Sequence, residues 1–189
     1  MAKALDFRRR REALTDYKKR FALVKGGHDR VVVRKTNKRI IAEVVRYAEK
    51  GDLVLAYVDS GALATKYKWP SRSNRPTAYL TGIMLAKVAA SKIKESNGKE
   101  YILDIGLSSP VKNSIPFVFA KGCIDGGMKL KAGLDMKEAI YNYSNTEYVK
   151  KAAESGGTVK QYGKFLKDGI NLDSLGTLFE ATKKKIMSE

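Results

Sequence analysis

Two runs rich in β-branched residues, Arg30 to Thr36 and Arg39 to Tyr47, flank the two-residue break Asn37-Lys38. Runs of this length and composition around an Asn-led connection form a β-hairpin, because Asn tolerates the positive φ that tight hairpin turns use. Gly51-Asp52 supplies a second turn, and Leu53 to Val58 a third strand. The resulting antiparallel three-strand meander excludes an all-helical bundle. Side chains alternate along a strand, so Arg30, Val32 and Arg34 share one face while Val31 and Val33 share the other. One face can therefore build a core while the other meets a charged partner.

The chain changes period after the meander. A helix is expected from Pro76 to Ser96, with Asn74 as its cap, Pro76 in its first turn and Asn97-Gly98 as its stop. Leu80, Ile83, Met84, Val88 and Ile93 form its apolar face. Gly82 in its interior costs up to about 1 kcal/mol against Ala, which a close helix–sheet contact would explain. Tyr101 to Ile105 is a short buried strand, and a preceding helix makes it parallel to its neighbour. Ser114 caps a second helix, with Pro116 in its first turn and Gly126-Gly127 at its end. The fold class is α/β, a mixed sheet of the meander plus a further strand with packed helices.

Beyond residue 130 the pattern is helical. Asp135 to Glu138 resembles a capping box, Thr146 to Glu154 is a helix, and a last helix from Ser174 to Met187 is capped by Asp173. Leu175, Leu178, Phe179, Thr182 and Ile186 fall on one side of that last helix. Three parts follow: a basic arm (1–28), an α/β core (29–130) and a helical extension (131–189).

Charge is distributed unevenly. The 189 residues carry a formal charge of +17, and residues 1–40 hold 14 basic against four acidic side chains, a net of +10 in about a fifth of the chain. The densest stretch is Arg8-Arg9-Arg10-Arg11, followed by Tyr17-Lys18-Lys19-Arg20. Guanidinium forks match phosphate oxygens and stack on bases, and a tyrosine among them adds a stacking face. The plain alternative is a solvated basic tail or targeting signal. Phe7, Leu14, Phe21, Leu23 and Val24 lie between the charges and give the segment something to pack with, which favours an arm that orders on RNA. Trp69 and its basic neighbours, up to Arg75, have two open readings, RNA contact or core cover.

Several chemistries are excluded. Cys123 is the single cysteine and His28 the single histidine, so neither an internal disulfide nor a Cys/His zinc site can form. No apolar run reaches membrane-span length, and the basic N-terminus lacks the apolar stretch of a signal peptide. A reducing cytoplasm, no membrane and a polyanionic partner are expected. A meander followed by α/β elements also resembles nuclease cores, which need carboxylates converging on metal ions. The acids available are Glu43, Asp52, Asp59, Asp104 and Asp125, and the first strand offers Val31-Val32-Val33. Asp104 reads as a strand-end acid that caps a loop or pairs with a lysine. No phosphate-binding glycine loop is present. Neither catalysis nor a metal or cofactor is expected.

The motifs Phe7-Arg8-Arg9-Arg10-Arg11-Glu12, Thr15-Asp16-Tyr17, Arg30 to Arg34 leading into Thr36-Asn37, Thr77 to Gly82 and Leu103 to Leu107 stand in register. Together they resemble the archaeal family of large-subunit ribosomal protein eighteen, whose eukaryotic counterpart is large-subunit protein five. The resemblance covers residues 7 to about 130, and the extension is of archaeal type. It implies a ribonuclease-H-like core without catalysis, and a ribosome-bound protein that fixes 5S rRNA to the large-subunit rRNA in the central protuberance, beside neighbouring ribosomal proteins. The non-ribosomal alternative is a single-domain RNA-binding factor. Carried onto this chain, the resemblance implies arm contacts from Arg8, Arg9, Arg10, Arg11, Tyr17, Lys18, Lys19 and Arg20. Arg30, Arg34, Lys35, Thr36, Asn37, Lys38 and Arg39 would present the hairpin to RNA, with Arg72, Asn74, Arg75 and Lys112 on neighbouring loops.

Overall fold

Val31 and Val33 are fully sequestered under a layer of helices, which sets the frame for the rest of the chain. The computed structural model describes residues 5–93, 98–132 and 175–188. Its sheet runs in the order β3-β2-β1-β4-β5, with β1 at Asp29–Lys35, β2 at Ile40–Arg46, β3 at Leu53–Asp59, β4 at Glu100–Asp104 and β5 at Lys129–Lys131. The meander forms as expected: β1 and β3 each pair antiparallel with β2, with a register shift between Val44 and Val45. β4 lies parallel to β1, placing Val31 beside Leu103, and β5 lies parallel to β4. The sheet therefore has one strand more than expected. β5 is only Lys129-Leu130-Lys131, too short for period-2 patterning to register, and it crosses the expected boundary at residue 130.

The hairpin turn uses a different device from the one expected. Asn37 is not among the positive-φ residues. Thr36 closes the turn instead: its amide and hydroxyl both donate to the Arg39 carbonyl, at 2.8 and 2.9 Å, and its hydroxyl accepts from the Arg39 amide at 2.9 Å.

Six helices are described: α1 (Arg8–Arg11), α2 (Tyr17–Lys25), α3 (Gly61–Tyr67), α4 (Arg75–Lys92), α5 (Ile115–Asp125) and α6 (Leu175–Ser188). Asn74 caps α4 by accepting from the Thr77 amide at 3.0 Å, and Pro76 sits in its first turn. α4 packs on β2 and β3 and is flanked by α5 and α6. It is consequently buried on nearly every side from Pro76 to Ala86, a wider stripe than its apolar spacing suggests. Thr81 accommodates this by donating its hydroxyl to the Thr77 carbonyl at 2.7 Å.

Gly82 serves a helix–helix contact, not the helix–sheet contact expected. A Cβ on Gly82 would lie 2.2 Å from the Phe119 carbonyl oxygen of α5, and one on Gly122 would lie 2.1 Å from that of Tyr79 in α4. The two backbones touch where both side chains are absent.

Trp69 belongs to the core. It is fully buried, donates its indole N–H to Thr77 at 2.8 Å, and lies edge-on to Phe179 of α6 at 6.1 Å. Phe179, Thr182 and Ile186 are buried, so the expected inner side of the last helix closes the core beside α4. The expected capping box at Asp135, the helix at Thr146 and the cap Asp173 lie outside the described residues.

Candidate nucleic-acid interface

The tip of the β1–β2 hairpin projects from the sheet with Arg34, Lys35, Thr36, Asn37, Lys38 and Arg39 all exposed. Their placement follows from the strand register, since the core-facing alternation ends at Val33 and the following side chains have nothing to pack against. Arg39 is held by Asp59 at 2.8 Å, which keeps its guanidinium at the base of the tip. Buried Ser60 ties a second loop to this point, accepting from the Ile40 amide at 2.9 Å and donating to the Arg72 carbonyl at 2.6 Å. Ser73 adds a 3.4 Å bond to the Asn37 carbonyl. Exposed Arg72 and Arg75 thus stand beside the hairpin tip.

The arm forms two short helices. Asp16 caps α2 through the Lys19 amide at 3.1 Å, and neither α1 nor α2 contains a buried residue. Arg8 to Arg11, Lys18 and Lys19 are exposed, and Tyr17 is partly covered by the Phe7 ring at 5.5 Å. The sequence suggests that Phe7 and Phe21 pack between the charges, yet they are 74% and 70% exposed. Exposed aromatic faces among guanidinium groups suit base stacking, worth roughly 1 to 3 kcal/mol per base.

Arm and sheet enclose a cleft of about 780 Å³ on the sheet face away from α4 and α5. Arg9, Lys19, Arg34 and Lys35 line its cationic rim. At its floor lies a relay of alternating charge. Arg30 donates to Asp104 at 2.8 Å and to Asp52 at 2.6 Å, and Asp52 also accepts from Arg20 of α2 at 2.8 Å. Burial opposes ionisation of Asp52, but hydrogen bonds from Arg30 and Arg20 outweigh it and hold its carboxyl below the usual range. Asp29, which precedes Arg30 in β1 and by alternation faces the other side of the sheet, has a similar balance. Burial works against its charge, while Arg46 and Lys99 pull its carboxyl below the usual range.

Two of the expected contact residues lie in covered positions. Arg30 is 2% exposed and its two terminal nitrogens are engaged by carboxylates, so it serves the cleft floor, and its unpaired Nε is buried away from any phosphate. Asn74 is 6% exposed because its side chain caps α4. Strand alternation puts Arg30 on the cleft face, where Asp52 and Asp104 take up its guanidinium. Lys112 is exposed on the loop after β4. Asp104 does cap its loop, accepting from the Gly106 amide at 3.0 Å, although its cationic partner is Arg30 and not a lysine. Sequence reasoning misses the relay. The signal available to it is Arg20 in the basic arm and Asp52 in a turn, with nothing to link them until the sheet is assembled.

The family described as ribosomal large subunit proteins 60S L5 and 50S L18 matches residues 3–101. Large ribosomal subunit protein uL18 of Sulfurisphaera tokodaii is 40% identical over 187 residues, covering 96% of this chain and 93% of that protein. The uL18 of Korarchaeum cryptofilum is 36% identical across 95% of this chain and 92% of its own length. That of Desulfurococcus amylolyticus is 35% identical with the same coverage. The chain belongs to this family. It is a large-ribosomal-subunit protein of the archaeal uL18 type, a structural component and not an enzyme. The extension is part of that likeness, since the matches run well past residue 130.

Among the described residues no group of three His, Cys, Asp or Glu side chains comes together as a metal site would require, and Asp52 and Asp104 converge on a guanidinium. Nor is any described helix long and apolar enough to cross a membrane.

Proposed function

We propose that this protein binds 5S rRNA and fixes it to the large-subunit rRNA in the central protuberance. The observation that carries this reading is the cleft whose rim gathers arm and hairpin cations, Arg9, Lys19, Arg34 and Lys35, although they are distant in sequence. The arm (1–28) grips RNA, the core (29–130) sets the geometry, and the extension (131–189) meets neighbouring ribosomal proteins. The strand order, with an antiparallel meander followed by parallel β4, supports a ribonuclease-H-like core. A-form RNA has a major groove too narrow for side chains, so backbone and shape contacts dominate, with stacking by Tyr17, Phe7 or Phe21 at unpaired bases.

A salt-series titration tests the reading. Full-length protein should bind 5S rRNA saturably at salt concentrations that release a tRNA of similar length. Deleting residues 1–20 should weaken 5S binding and flatten its salt dependence, because every phosphate that the arm no longer neutralises takes about 0.7 to 0.9 off the logarithmic slope. Equal, steeply salt-dependent binding to both RNAs would refute specific recognition, and an unchanged slope after deletion would refute the arm.

A further inference from the structure

Asp52 and Asp104, two of the four carboxylates that line the cleft, are a liability for a protein that binds a polyanion, unless they hold something in place. The relay Asp104–Arg30–Asp52–Arg20 links four pieces of chain, with Asp52 in the turn between β2 and β3. Asp104 is fixed by the Gly106 amide at the end of β4, Arg30 starts β1, and Arg20 belongs to α2 of the arm. No arm-helix side chain is fully buried, and of the apolar ones only Leu23 and Val24 are even partly covered, so apolar packing alone seats the arm weakly on the sheet. Their other described ion pairs, Arg10 with Asp6 and Lys19 with Asp16, stay within the arm, whereas that of Arg20 reaches the core. We propose that Asp52 and Asp104 are positioning residues for RNA binding: through Arg30 and Arg20 they latch the arm over the sheet, so these negative charges strengthen the grip on RNA.

The sign of one substitution separates this from simple electrostatics. Asp52→Asn removes a negative charge near the RNA surface, so charge attraction alone predicts tighter binding. The latch predicts the reverse, because the arm is no longer seated.

The inference rests on the RNA-binding reading above, and the experiment keeps the two apart. Full-length wild-type, Asp52→Asn, Asp52→Glu, Arg20→Gln and the Arg20→Gln/Asp52→Asn double variant are titrated with 5S rRNA and tRNA. Each is also exposed to trypsin, whose cleavage within residues 8–25 reports release of the arm. Asp52→Asn should weaken 5S binding roughly fivefold, the upper end of what a partly exposed ion pair holds, with the salt slope undiminished and cleavage accelerated. Asp52→Glu should recover affinity. The double variant should bind no more weakly than Arg20→Gln alone, since the Arg20–Asp52 pair that joins arm to core is already broken there. Arg20→Gln leaves Arg30 with both carboxylates, so the core melts as wild type while the arm is cut faster. Equal or tighter 5S binding by Asp52→Asn, additive effects in the double variant, or unchanged cleavage in Arg20→Gln would each overturn the latch. Wild-type protein that binds both RNAs alike would refute the 5S reading, and the trypsin pattern would still decide the latch.

Discussion

Replacing Gly82 with alanine should destabilise the protein, although the same change in an ordinary helix interior stabilises it by about 1 kcal/mol. The added Cβ would stand 2.2 Å from the Phe119 carbonyl oxygen and 2.9 Å from the Cys123 amide nitrogen, where ordinary contact begins near 3.4 Å. Both neighbours are α5 backbone, which no rotamer change can move aside. α4 and α5 must therefore part by about 1 Å, and a gap of that size forfeits a quarter to a half of the dispersion energy across the contact. Overpacking of this kind costs about 3 kcal/mol at the upper end of its usual range. Set against the propensity gain, the net loss is about 2 kcal/mol, equivalent to a Tm lower by about 4 to 8 °C in a chain of this size. Urea unfolding followed by circular dichroism measures it, with Gly122→Ala as a companion of the same sign, its Cβ lying 2.1 Å from the Tyr79 carbonyl oxygen. A neutral or stabilised Gly82→Ala would refute the backbone contact between α4 and α5.

Leu80→Ala should cost roughly 2 to 5 kcal/mol, since Leu80 is fully buried; a denaturant midpoint that barely moves would contradict its place in the core. Arg34→Ala should weaken 5S rRNA binding more than Lys184→Ala, because Arg34 lines the cleft while Lys184 lies exposed on α6; equal weakening in a filter-binding assay would argue against the hairpin. Asp29 and Asp52 have folded-state carboxyl values below the ordinary 3.8. Their stabilisation is complete above that value and is lost as pH falls through the lower folded values. Melting temperature should thus hold down to about pH 5 and drop below about pH 4, and Asp52→Asn should blunt that drop; an identical acid profile for the variant would count against the Asp52 pairs.

The meander, the parallel strand, the N-terminal cap of α4 and the start of α5 are legible in the sequence because each rests on local chemistry, whereas α4 ends at Lys92, short of the expected Ser96. β-branched runs, an Asn three residues before Thr77 and a Pro in the first turn act on their own neighbours. β5 and α3 are not legible. Lys129-Leu130-Lys131 pairs only because β4 presents an open edge, and α3 has just Leu63 and Tyr67 to bury. A glycine at position 82 signals a close neighbour, but spacing within one helix cannot say which element supplies it. At the interface, exposure of the hairpin tip follows from strand alternation. The fate of Arg30 depends on Asp52 and Asp104, which lie 22 and 74 residues away.

The arm enters the sheet at its middle strand. β1 is held by six residue pairs to β2 on one side and four to β4 on the other. Its first two residues are tied laterally as well, Asp29 to Arg46 and Lys99, Arg30 to Asp52 and Asp104. A pull transmitted along the arm would run parallel to β1 and across its ladder bonds, which lie roughly perpendicular to the strand in the antiparallel pairing. Those bonds would have to shear together, whereas the edge strand β3 could be peeled away pair by pair. The exposed arm is thus rooted in a strand paired on both sides, so a tug on it reaches the sheet through both neighbours at once.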